Sequence, residues 1–562
     1  MKFNEIPYSR PSHEELLKKI SDYTQELRSA DNADKQIEIL KSCEKAVSSF
    51  YTSASIAHVR NTIDTRDEFY DAERKYYDEI GPVITEKQQE FEKELLSSPF
   101  RKDIEEKLGS VLFINAEMSQ KGFDPKIIPL MQEENVLTAQ YQKLYASATV
   151  HFDGKDLPLP MLGQHKQSPD RAIRKAAYEV EGKFFDDHRA EFDEIFDKLI
   201  KNRTKQAQEL GFDNFLELGY IRRQRNCYGP DDVKNYRKQV LEDLVPLVKQ
   251  LKEKQRERIE VDSLKYYDDT FSFKDGNANP HGTPEHLLAC AKQMYSEMSA
   301  ETKEFIELMF DMDLFDVISK PGKAPGGYCT SFHDYHCPFI FSNFNGTSGD
   351  VDVLTHEAGH AFAFYTAMKE IPFVSLQEPS MEGCEVHSMS MEFLTSPWHH
   401  LFFEEETAKY QLAHAEDALF FIPYGTMVDY FQELVYTNPD WTPEQRNEAW
   451  AKLESEFRPY MDFDNLPFYG RGAGWQRQLH IYLYPFYYID YCMAQTVALQ
   501  VFAKHLKDEK DAWETYLRYT KMGGTKTFVD LVKTAGLISP LDNGCLKDIC
   551  ETIGNWINKQ EL

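Results

Sequence analysis

The chain has 562 residues, a net charge of −29 and nine cysteines scattered along it. That charge argues against nucleic-acid backbones and anionic membranes as partners. No stretch approaches 18 consecutive apolar residues and the amino terminus lacks the pattern of a secretory signal, so the expectation is a cytoplasmic protein with reduced thiols.

In chain order, helical periodicity dominates. Ser12 caps an expected helix with Leu16, Leu17, Ile20, Tyr23 and Leu27 on one face. Amphipathic runs follow near residues 34–56, 66–97, 100–121 and 126–145. Residues 146–155 alternate and turn at Asp153-Gly154, a hairpin signal. Ser168-Pro169 reads as a cap and first-turn proline opening another helix. Helices continue through about 265, and the short basic cluster Arg222-Arg223-Gln224-Arg225 reads as a solvated or salt-bridged helix face. Residues 271–284 form the clearest loop. A lead-in from Pro321 to Tyr328 opens a small β region at about 327–346, within which Phe339–Asn345 reads as a strand. An edge strand there would pair with an extended peptide through Phe341, Asn343 and Phe344; an ordinary core strand has the same apolar pattern. After residue 350 the chain reads as helical, with breaks near Pro439, Pro467 and Gly523-Gly524.

The chemistry concentrates at His356-Glu357-Ala358-Gly359-His360. Each helical residue turns about 100°, so positions four apart share a face and two imidazoles can bind one zinc ion. Glu357 projects near the same site and can take a proton from the attacking water. Asp350 or Asp352 could cap this helix, and Val353, Leu354, Ala358, Ala361, Phe362 and Tyr365 make it largely apolar, hence buried. Buried imidazoles need partners, and a metal supplies them. A further helix is expected from about Pro379 to Leu394. It carries Glu378, Glu382, Glu385 and Glu392 on one face among apolar neighbours, and spacing alone does not choose a third ligand. Cys384 adjoins Glu385 but points about 100° away, which disfavours it as a ligand.

These residues resemble the M3 family of zinc metallopeptidases, in particular its oligoendopeptidase F and Pz-peptidase branch, with thimet oligopeptidase more distantly similar. The motif carrying the resemblance is His356-Glu357-x-x-His360 followed by Cys384-Glu385-Val386-His387-Ser388-Met389-Ser390-Met391-Glu392. A second block runs from Gly470-Arg471-Gly472 through His480 to Pro485-Phe486-Tyr487-Tyr488-Ile489-Asp490-Tyr491. The likeness extends from about residue 200 to the end, and more weakly over the helical amino-terminal part. It implies Glu385 as third ligand, 25 residues after His360, and Glu392 as a supporting group. It also implies His480, Tyr487 and Tyr491 as groups facing the substrate.

The expected architecture is mostly α and gluzincin-like: two helical halves enclosing a deep substrate channel, with a small sheet beside the zinc helix. The expected division is an amino-terminal helical region at 1–190, with a hairpin near 146–162, and a catalytic region at 191–562. The expected function is zinc-dependent hydrolysis of internal bonds in short unstructured oligopeptides, with one Zn²⁺. Two other classes share part of this pattern. A zinc carboxypeptidase or dipeptidase would need a charged anchor for a peptide terminus. A non-catalytic peptide-binding scaffold would have no use for Glu357.

Overall fold

A computed structural model describes residues 1–320, 322–324 and 326–560. Pro321 and Pro325 of the expected lead-in lie outside these. Most of the chain is helical, with two small sheets. Among the described residues no helix is long and apolar enough to cross a membrane.

The local signals map closely onto the elements. Ser12 accepts the amide of Glu15 and caps the helix His13–Ser29, whose Leu16, Ile20 and Leu27 are buried. The hairpin pairs β1 (Thr149–Phe152) antiparallel with β2 (Lys155–Pro158). Its two turn residues, Asp153 and Gly154, both have positive φ, as a tight two-residue turn requires. One boundary differs: Asp170, not Ser168, caps the helix Arg171–Asp187, by accepting the amide of Ala172. The proline therefore stands ahead of the cap rather than in the first turn.

The chain forms two compact units, each discontinuous in sequence. The first comprises residues 1–120, 279–407 and 500–538; the second comprises 121–278, 408–499 and 539–562. A linear division at residue 190 does not describe them, because the chain leaves each unit and returns to it. The first unit has a core in which Leu16, Ile20, Leu40, Phe50, Ile84 and Phe91 pack with Ile371, Phe373 and Leu376. The amino-terminal helices thus share a core with the segment just beyond the His-Glu-x-x-His helix.

The first unit also holds a three-stranded sheet: β3 (Phe315–Ile318), β4 (Tyr328–Phe332) and β5 (Cys337–Phe344), in the order β3-β5-β4. β5 is parallel to β3 and antiparallel to β4. It is therefore the central strand, and the expectation that Phe339–Asn345 offers a free edge is corrected. Phe341 is fully buried and stacks on Tyr328 at 4.8 Å. Phe344 is buried too, and the Asn343 amide donates to the carbonyls of Ala324 and Gly326. An apolar run of this kind marks a strand covered on both faces and says nothing about which strands flank it. The two edges fall to β3 and β4, each of which has β5 as its one strand partner among the described residues.

Candidate metal centre

Two helices of the first unit build the centre. The first ligand helix, Gly349–Glu370, begins just after β5. Asp350 fixes that junction by accepting the amides of Asn345 and Gly346 at 2.8 and 2.7 Å. It ties strand end to helix start rather than capping the helix through its own first turn. The second ligand helix, Met381–Leu394, is buried along nearly its whole length. Behind it, Tyr516 and Tyr519 donate to the carbonyls of His387 and Gly383.

Gly359 sets the spacing of the two helices. A Cβ at this position would come within 2.6 Å of the His387 carbonyl oxygen and 2.7 Å of Ser388 Cα. Alanine is the better helix former by about 1 kcal/mol, but the obstacle is backbone that has no rotamer to yield. Gly359→Ala should therefore lower stability by about 1–3 kcal/mol and weaken metal binding, because forcing the helices apart separates the groups they carry. Thermal melts and metal titration would check this; a variant more stable than the parent, with unchanged affinity, would contradict the packing argument.

Across that contact His356, His360 and Glu385 converge, with ligand-capable atoms all within 4.8 Å of one another. Glu385 Oε2 lies 3.3 Å from His356 Nε2 and 3.4 Å from His360 Nε2. Of the four glutamates on the expected helix face, packing singles out this one. Glu392 Oε1 sits 2.8 Å from His356 Nδ1, and Ser388 Oγ donates to Glu385 Oε2 at 3.0 Å. The hydrogen bond to Glu392 directs the Nε2 lone pair of His356 towards the common point. Two imidazole nitrogens and one carboxylate oxygen form a donor set that suits zinc, and three protein ligands are the number a catalytic zinc site takes. The residues fit the group. Cys384 stays apart from it: burial holds its thiol well above the usual range, and it donates to the Pro379 carbonyl.

Burial pushes the Glu385 carboxyl up, but the two imidazoles outweigh that and hold it well below the usual carboxylate range. Glu357 is also buried. Burial raises its carboxyl above the ordinary value, against the opposing pull of His356 and His360. A carboxylate so raised is better matched to taking and returning a proton near neutrality. β4 approaches this group: a Cβ on Gly327, the residue before the strand, would lie 3.8 Å from Glu357 Oε1.

The second unit gathers the other expected residues. The His480 ring lies 5.7 Å from Tyr487 and 6.3 Å from Tyr491, and those two tyrosines lie 4.7 Å apart. Burial, with a contribution from Arg223, pushes the His480 imidazole down to about 4, so it is neutral at pH 7. Tyr424 donates to Gln478 Oε1 at 2.9 Å, which leaves the Gln478 amide nitrogen as donor to His480 Nδ1 at 3.1 Å. The ring hydrogen of His480 is then on Nε2, making it a neutral donor. Nothing in the spacing marks Gln478, Tyr424 or Ser388 in advance; the motif fixes only the groups they orient.

A family model for peptidase family M3 matches residues 164–550, and one for the M3 amino-terminal domain matches residues 3–123. The fold is similar to a solved Pz peptidase A with inhibitor, at 46% identity, full coverage of both chains and a TM-score of 0.94. A second solved chain, described as an oligoendopeptidase F, is 44% identical over 100% of this chain and 99% of its own, also with a TM-score of 0.94. Oligopeptidase PepF of Bacillus subtilis (strain 168) is 23% identical over 93% of this chain and 80% of its own. With the family model spanning most of the chain and the fold matching end to end, the protein belongs to peptidase family M3 and is a peptidase.

Proposed function

We propose that the protein is a zinc-dependent endopeptidase that hydrolyses internal bonds of short, unstructured oligopeptides. The observation that carries this reading is the convergence of His356, His360 and Glu385 on one point, with Glu357 on the same helix as both imidazoles. Zinc, when bound, polarises the scissile carbonyl and makes water a nucleophile near neutral pH. Glu357 takes the proton of the attacking water and returns it to the leaving amine. Glu392 holds His356 in the tautomer that presents Nε2. His480, neutral with its hydrogen on Nε2, and the hydroxyls of Tyr487 and Tyr491 are donors suited to a developing oxyanion, each worth on the order of 3 kcal/mol. The β4 edge near Glu357, rather than β5, is the strand on which an extended peptide would add through main-chain hydrogen bonds. Such binding is indifferent to side chains. The names of the similar proteins, oligopeptidase and oligoendopeptidase, favour peptides over folded proteins as substrates. A cytoplasmic location fits nine free cysteines, several of them buried.

The test joins metal dependence to cleavage position. Protein stripped by a chelator should lose hydrolysis of a decapeptide blocked at both ends, and added Zn²⁺ should restore it, with mass spectrometry showing internal cuts. Full activity in protein shown by elemental analysis to be metal-free would remove the zinc reading. Cleavage only when a terminus is unblocked would turn the assignment to an exopeptidase.

A further inference from the structure

The basic cluster Arg222-Arg223-Gln224-Arg225 is not uniform. It lies in the second unit, at the end of the helix Phe215–Arg222. Arg222 donates to Glu134 at 3.1 Å and also bonds Gln206. Arg225 is buried and donates to Asp490 at 2.9 Å. Arg223, between them, is half-buried, and its guanidinium makes no hydrogen bond or ion pair with any described residue. Its guanidinium carbon lies 5.3 Å from the centre of the Tyr487 ring. Tyr487 in turn stacks on His480.

A partly desolvated cation with no anion beside it is costly. Asp490, the carboxylate that acts on Arg223 most strongly, is already bonded to Arg225. Burial disfavours the charge on Arg223, yet a guanidinium does not give up its proton in a protein. The ring of Tyr487 fixes the group by cation–π attraction and leaves its N–H donors unspent. Those donors form a planar fork that matches a carboxylate in bidentate fashion. The chain as a whole carries −29, so anions are repelled at long range and a carboxylate would be held only where a local cation waits for it.

We propose that Arg223 recognises a carboxylate of the bound peptide, supplied by its free C-terminus or by an acidic side chain. The proposal rests on the reading that His480 and its tyrosines face the substrate. It adds to that reading a specificity determinant: a peptidase that pairs main chain indifferently to side chains would still favour peptides carrying a negative charge at one place.

The experiment uses one peptide sequence in three forms: neutral with an amidated C-terminus, the same with a free C-terminal acid, and the amide with a single Gln replaced by Glu. Steady-state kcat and KM are measured for the wild type, Arg223→Gln and Arg223→Lys, each with a thermal melt. In the wild type, kcat/KM for one carboxylate-bearing form should exceed that of the neutral amide by about tenfold or more. Which form does so identifies the source. In Arg223→Gln that ratio should collapse towards one, through KM. In Arg223→Lys, which keeps the charge but not the fork, it should be intermediate. Absence of discrimination in the wild type would overturn the proposal. So would an Arg223→Gln variant that slows all three peptides by a common factor and keeps the ratio. Should that variant not fold, Arg223→Lys decides alone: a reduced ratio supports recognition, and a wild-type ratio refutes it. His480→Ala, assayed on the neutral amide, tests the underlying site separately. Lowered kcat there with an unchanged ratio in Arg223→Gln removes Arg223 alone, whereas unchanged kcat removes the site and the proposal with it.

Discussion

Glu357→Gln is expected to bind zinc and peptide like the parent and to lose about 10²–10⁴ in turnover, the range for an essential general base. The amide keeps the size and planarity of the side chain, but its oxygen is far too weakly basic to take the proton. Glu357 is only 8% exposed, so a substitution that changed volume would confound chemistry with packing; glutamine does not. Neutralising it should not destabilise the fold, since burial already works against its charge. The decisive pair of measurements is metal content and kcat on the same preparation. A variant with full zinc and more than about a tenth of wild-type turnover, a loss too small for an essential base, would place the proton acceptor elsewhere.

Glu357 was legible in the sequence because helix geometry alone forces it: two histidines four apart on an apolar helix leave the intervening glutamate beside their shared face. The third ligand was not legible in this way. Glu382, Glu385 and Glu392 lie along the helix Met381–Leu394, with Glu378 just ahead of it, at spacings that periodicity treats alike, and only the packing of one helix on the other decides which carboxylate meets the imidazoles. That packing depends on Gly359, whose missing Cβ is visible in the sequence but whose neighbour, the His387 backbone, is not. The sheet shows a similar limit. The apolar pattern of Cys337–Phe344 announces a strand with two covered faces, while its place between β3 and β4 is a fact of topology. The two units were invisible for the same reason, since each collects segments hundreds of residues apart. Arg223 differs from Arg222 and Arg225 only in what the fold sets beside it.

Glu385→Ala and Glu392→Ala should both weaken zinc binding, in that order of severity. Glu385 contributes a carboxylate oxygen to the converging set, against both Nε2 atoms. Structural zinc sites bind with about 10–16 kcal/mol from four ligands, so one ligand is worth on the order of 10²–10³ in affinity. Glu392 instead hydrogen-bonds His356 Nδ1, on the far side of the ring from the convergence point. Its loss frees the imidazole to rotate or to take the other tautomer while leaving all three donors in place, a cost of about 10–100-fold. The ranges meet at their edge, so the order is best read in a direct competition with one chelator under identical conditions. Glu392→Gln sharpens the comparison: its amide oxygen can still accept from Nδ1, so affinity should recover most of what alanine loses. Glu385→Gln should recover little, because a neutral amide oxygen is a poor substitute for a carboxylate facing a divalent cation. Both alanine variants open a cavity in a buried helix, so each must be shown folded without metal before affinities are compared. If Glu392→Ala proved the more damaging of two folded variants, the roles assigned to the two carboxylates would have to be exchanged.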